Sequence, residues 1–162
     1  MNKVKKFCGI LALPIILCWF LMTIFVDIIA VPTVFRNVSN VHEAGKVGMT
    51  VFTSLNRMEL IFAFIFIGAV IHFHKKLKSN FLLVLSLVLL FWSFSYNLYF
   101  TPKIIHYTQL IRSAVPGDPM MIEYQNGHHF FHTLYRYLDT TKLIMLLSVL
   151  VVLIKRKWAE EE

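Results

Sequence analysis

The sequence has little of what soluble enzymes and secreted domains are built from. Two of its 162 residues are cysteine, and both lie in the first apolar segment. Cys8 and Cys18 are ten residues apart, which on one helix separates their Cα atoms by about 15 Å, beyond disulfide reach. They read as small apolar packing residues and say little about redox compartment. Glycines number six, and none falls in a Gly-rich phosphate loop. No nucleophile–base pair, HExxH, CxxC or paired-carboxylate pattern is present, so an enzyme has no support beyond a few histidines. No repeat or low-complexity tract is read along the chain. Acidic residues are scarce as well, nine against sixteen Lys and Arg.

What the chain has is apolar length. It is 57% hydrophobic with a mean hydropathy of +0.66, more apolar surface than a soluble domain of this size can hide. The expected fold is all-α, an integral membrane four-helix bundle forming one transmembrane domain over residues 1–162. The spans expected are about 7–31, 47–73, 81–101 and 130–154, joined outside by short amphipathic helices. A net charge of +7 would suggest nucleic acid in a soluble protein. Here the basic residues gather as Lys3, Lys5 and Lys6, then Lys75, Lys76 and Lys78, then Lys155, Arg156 and Lys157. Each cluster abuts an apolar run, which places both termini and the middle loop in the cytoplasm. A multi-pass protein of the inner membrane is therefore expected. Its partners are the lipid bilayer and either further copies of the chain or a larger membrane assembly, with no nucleic acid.

Details along the chain refine this. The basic lead and the long first apolar run read as an uncleaved anchor rather than a signal peptide, with a kink expected at Pro14. Asp27 lies about 31 Å along the helix from Lys6, near the outer interface. Pro32 to Lys46 reads as an external connection holding a short interfacial helix. Thr101-Pro102-Lys103 is expected to break or kink the third span. Ile104 to Val115 then reads as a surface helix, ended by Pro116-Gly117-Asp118-Pro119.

The fourth helix concentrates the chemistry. Leu143 to Ile154 carries no charge, but a span needs roughly 20 residues. The membrane must therefore take in Lys142 and Asp139, which is costly unless they face a partner or water. At about 100° per residue, His128, His132, Tyr135, Asp139 and Lys142 share an arc of roughly 80°, with Arg136 at its edge. The second span supplies candidate partners. Glu59 lies about 21 Å from the inner end of its span and Lys142 about 18 Å; Arg57 and Asp139 lie at about 24 and 22 Å. Sign and depth thus match Glu59 with Lys142 and Arg57 with Asp139, in a network joined by Asn56, Asn97 and Tyr135. Asp27 with Arg136 is a third pairing nearer the surface. Such a network either fixes helix register or lines a solute or proton site.

Histidines form a second candidate. His128 and His132 stand four apart on one face, a spacing that offers two metal ligands. His42, His106 and His129 lie on the same external side and could add a third. No cofactor is expected on the first reading; the alternative is a membrane redox or metal-handling protein with haem b, copper or zinc on these histidines. His72 and His74 read as interfacial anchors.

Several stretches resemble a small bacterial membrane family, domain of unknown function 4149, whose animal cousins are the transmembrane-protein-205 group. They are Val31-Pro32-Thr33-Val34-Phe35-Arg36, then Ala44-Gly45 and Phe52, then Tyr99-Phe100-Thr101-Pro102-Lys103-Ile104, and the layout of Phe131 through Leu147. The resemblance implies a four-helix membrane protein without an established reaction; association of the animal group with drug or metal-compound resistance implies export. The preferred reading is a non-enzymatic protein that binds or passes a small solute or ion, or serves as a subunit of a membrane assembly. If it transports, Glu59 and Asp139 are the proton- or cation-responsive groups. Arg57, Arg136 and Lys142 then hold the counter-charge and could meet an anion.

Overall fold

A computed structural model describes residues 11–77 and 79–158. The basic lead with Cys8, Lys78, and residues 159–162 of the acidic tail lie outside the described residues. All secondary structure within that range is helical. Four helices are long and apolar enough to cross a membrane: α1 (Leu13–Asn37), α2 (Val41–Leu77), α3 (Asn80–Ser113) and α4 (Met121–Trp158). α2 and α4 have 37 and 38 residues, so each is about 56 Å long, well beyond the ~30 Å of a hydrocarbon layer.

Local chemistry sets the ends. Ser79 caps α3 by accepting from the Leu82 amide at 3.4 Å, and Asn40 Oδ1 accepts from the His42 amide at 2.8 Å at the start of α2. Between α3 and α4 the Asp118 amide donates to the Val115 carbonyl at 3.0 Å. That turn places Gly117 at φ +90°, a conformation glycine adopts without a Cβ penalty.

Two expectations change here. The external segments after the first and third spans are not separate surface helices; they continue α1 and α3 without a break. Each passes its proline through a wider turn, Phe25–Ala30 before Pro32 and Tyr96–Phe100 before Pro102. Proline lacks an N–H and its ring crowds the carbonyl four residues back. The preceding residue instead donates five residues back, Val31 to Val26 and Thr101 to Tyr96. A π turn absorbs the proline and the helix goes on. Pro14 sits at the start of the α-helical run Leu13–Ile24, with π-helical Leu11 and Ala12 before it, the same arrangement as at Pro32 and Pro102.

α1 and α3 each lie against both α2 and α4. The apolar core fills the half nearer Ser79, with Ile16, Trp19, Phe66, Leu89, Val149 and Leu153 among its buried members. Further toward the 38–40 and 114–120 turns the buried positions become polar: Thr23, Asn56, Glu59, Ser93, Asp139 and Lys142. The candidate site sits directly above an apolar plug.

Candidate functional site

α2 and α4 meet through long side chains rather than backbones. Glu59 and Lys142 are both fully buried, and the Lys142 ammonium donates to Glu59 Oε1 at 2.6 Å. Its second partner is Asp139 Oδ1, one turn earlier on α4. The ammonium also stands 4.9 Å from the centre of the Tyr96 ring, a cation–π arrangement. Glu59 Oε1 accepts from the Thr23 hydroxyl as well, at 3.0 Å. Its other oxygen, Oε2, and the Tyr96 hydroxyl are buried with no hydrogen-bond partner among the described residues.

A neutral network lies next to this ionic one. Asn56 donates from Nδ2 to Thr101 Oγ1 at 2.7 Å and accepts at Oδ1 from the Tyr135 hydroxyl at 3.0 Å. The Asn56 carbonyl accepts from Asn97 Nδ2 at 2.8 Å. Tyr135 packs between Phe52 and Tyr96, with ring centroids 5.8 and 4.7 Å away. Every polar group of Asn56 is thus spoken for, as burial requires.

Above both networks a cavity of about 790 Å³ extends toward the end of the bundle that holds residues 38–40 and 114–120. Its walls are largely apolar, with Ile28, Phe35, Met49, Phe52, Ile104 and Leu143. Asp27, Asp139 and Tyr135 line it at the level of the buried networks. Asp27, half-buried in the π turn of α1, lies within hydrogen-bonding reach of Asp139. His42, Arg112, His128, His132 and Arg136 line the outer part. Arg112 is tied down: its Nη2 donates to the His42 carbonyl at 3.0 Å.

The residues singled out from sequence therefore separate into groups. Glu59, Lys142 and Asp139 form one ionic cluster, and Asn56, Asn97 and Tyr135 the adjoining neutral one. The expected Arg57–Asp139 pair does not form. Arg57 is exposed and lines a different cleft, of about 380 Å³, with Thr53, Asn97, Thr101, His106 and Gln109. It follows Asn56 and precedes Glu59 by two residues, so about 200° of helix rotation turns it away from the buried face. Asp27 and Arg136 share the larger cavity, but no ion pair joins them among the described residues.

The histidines divide likewise. His128 and His132 stack with centroids 5.7 Å apart and share the large cavity with His42, whereas His106 lines the other cleft against Tyr107. Among the described residues no three His, Cys, Asp or Glu side chains converge where a metal ion could be held. Sequence reasoning missed Thr23, Tyr96 and Thr101 as partners of the clusters. Thr23 had a usable signal, being one turn before Asp27 on the same helix face. No family model, curated protein or solved structure matches the chain.

Proposed function

We propose that the chain is a multi-pass protein of the inner membrane, a four-helix bundle with both termini cytoplasmic, that takes a small solute from the outer side. The solute class that fits is an amphipathic organic cation, with an apolar body and one positive group. The observation that carries this is the cavity of about 790 Å³ whose walls are largely apolar and which Asp27 and Asp139 line at the level of the buried networks, with Arg112 and Arg136 also in its lining. Asp139 already faces Lys142, while Asp27 has no cation within ion-pair distance among the described residues. Asp27 and Asp139 can hydrogen-bond only by sharing a proton, so a ligand cation meeting Asp27 takes the place of that proton, and desolvation between apolar walls strengthens the attraction. The apolar core beneath the clusters closes the inner side, so this is an outward-facing arrangement. Passage to the other side would require that plug to open, with the Glu59–Lys142–Asp139 cluster as the groups that respond to the arriving charge.

The test uses the detergent-purified full-length protein and tetraphenylphosphonium, read by equilibrium dialysis. Saturable binding, weakened at least tenfold by Asp27→Asn with the helical circular-dichroism signal unchanged, is the expected result. Binding that does not saturate, or that Asp27→Asn leaves alone, would sink the reading.

A further inference from the structure

The buried positions repeat along the chain. In α1 they are Ala12, Ile16, Trp19, Thr23 and Val26; 70 residues on they recur in α3 as Leu82, Ser86, Leu89, Ser93 and Tyr96. α2 and α4 share another offset, the 83 residues that separate Glu59 from Lys142. By it Asn56, Ala63, Phe66 and Val70 correspond to Asp139, Leu146, Val149 and Leu153, all buried. The two prolines and their π turns obey the first offset. Sequence carries a trace of the second: TVFTSLNRMELI from Thr50 stands against TLYRYLDTTKLI from Thr133.

Contacts follow the same rule. Glu59 touches its own counterpart, Lys142, and Phe52 packs near its counterpart, Tyr135; equivalent residues meet in this way only about a two-fold axis. Asn97 neighbours Asn56, donating to its backbone carbonyl, where the counterparts Asp27 and Asp139 neighbour each other through their side chains. Among the described residues, the hairpins α1–α2 and α3–α4 thus correspond in their buried positions and in contacts of the kind an approximate two-fold relation gives. The absence of a repeat in the sequence reading is corrected accordingly.

That relation gives the smaller cleft a meaning. Asn97, Thr101, Ile105, Thr53 and Arg57 line it. Their counterparts Asp27, Val31, Phe35, Arg136 and Thr140 all line the large cavity. The two clefts therefore occupy corresponding places, but their charge differs. Where one has Asp27, the other has Asn97; where one has Arg136, the other has Thr53; where one has Thr140, the other has Arg57. No carboxylate lines the smaller cleft, and Arg57 has no ion pair among the described residues. Thr101, His106 and Gln109 add hydrogen-bonding groups beside it. Asn97 lies about 26 Å and His106 about 39 Å along α3 from Asn80, a range that brackets the edge of a ~30 Å hydrocarbon layer, where lipid phosphates lie.

We propose that the Arg57 cleft, which has an arginine and no carboxylate where the larger cavity has both, binds a phosphate-type anion. Arg57 supplies the guanidinium fork that suits phosphate oxygens. The proposal rests on the membrane placement above but not on the solute in the larger cavity.

Two sources share this chemistry, an outer-leaflet phospholipid headgroup and free phosphate, and one experiment separates them. Full-length protein, delipidated in detergent, is titrated with phosphatidylglycerol and phosphatidylcholine by native mass spectrometry, and with inorganic phosphate by calorimetry. One saturable site is expected, at least tenfold weaker in Arg57→Gln, partly kept in Arg57→Lys, and unchanged in Arg136→Gln and Asp27→Asn. Binding of the phospholipids alone identifies a headgroup site; inorganic phosphate binding with equal affinity identifies the free anion. No saturable binding of any probe overturns the proposal, as does binding indifferent to Arg57→Gln or equally weakened by Arg136→Gln. Retention in the membrane pellet after an alkaline carbonate wash reads the membrane placement by itself.

Discussion

Neutralising Lys142 should damage this protein more than neutralising Glu59, although the two are partners. Lys142 is the one ammonium in contact with two carboxylates, Glu59 and Asp139, and it is fully buried. Lys142→Met keeps the volume but leaves both acids facing each other without a cation. Breaking a buried pair from one side costs about 3–5 kcal/mol. Glu59→Gln leaves Lys142 and Asp139 as a one-to-one pair. The amide oxygen can still accept from Lys142 and from Thr23. The loss is then close to one charge-assisted hydrogen bond, about 1.5–3 kcal/mol. At about 2–4 °C per kcal/mol for a chain of this size, Lys142→Met should lower Tm by about 6–20 °C and Glu59→Gln by about 3–12 °C. Thermal unfolding of the detergent-purified protein, followed by near-ultraviolet circular dichroism, measures both. Exchanging the charges, Glu59→Lys with Lys142→Glu, should recover only part, because the new glutamate stands one turn from Asp139; adding Asp139→Asn should recover more. A Lys142→Met variant within about 1 kcal/mol of the parent, or one milder than Glu59→Gln, would refute this account of the cluster.

Two further outcomes follow from packing and hydrogen bonding. A Cβ at Gly127 would come 2.4 Å from the Tyr107 ring, so Gly127→Ala should cost about 1–3 kcal/mol of overpacking, only partly offset by a helix-propensity gain of about 1 kcal/mol. Gly45→Ala meets only the flexible tip of Arg112, at 3.3 Å, and should be neutral or slightly stabilising in the same melt. Asn56→Ala strands the buried Tyr135 hydroxyl and removes the donor to Thr101. It should cost about 1–3 kcal/mol, and an unchanged Tm would mean that the neutral network does not hold α2 to α4.

Much of the helical class was legible because apolar run length and basic flanks are strong, additive signals. The Glu59–Lys142 contact was legible too, since depth along a span and sign of charge together leave few partners. Depth is only one coordinate, however. It matched Arg57 to Asp139 equally well, and helix rotation, which places Arg57 outside, decides otherwise. Proline at Pro32 and Pro102 reads locally as a stop; whether a helix ends there or widens into a π turn depends on what packs around it. The repeat was hidden because its corresponding positions share burial rather than identity or polarity, as Ile16 and Ser86 do, and because Glu59 and Lys142 have opposite charge.

That opposition has its own logic. Two identical hairpins about a two-fold axis would set Glu59 against Glu59, or Lys142 against Lys142, in a fully buried position, and like charges so placed repel strongly. Opposite charges at the one place where the halves must touch make each hairpin the complement of the other and penalise pairing with its own copy, as polar and charged positions do in coiled coils. Once the axis is occupied by a heterotypic pair, nothing requires the flanking positions to stay alike. Asp27 and Asp139 on one side, and Asn97 and Asn56 on the other, are neighbours at corresponding positions, with charge in one place and without it in the other. The cluster that joins the halves is thus also what frees their two clefts to differ. Changing Arg57 should alter one cleft without disturbing the buried pairing, whereas no substitution at Lys142 can be confined to one side.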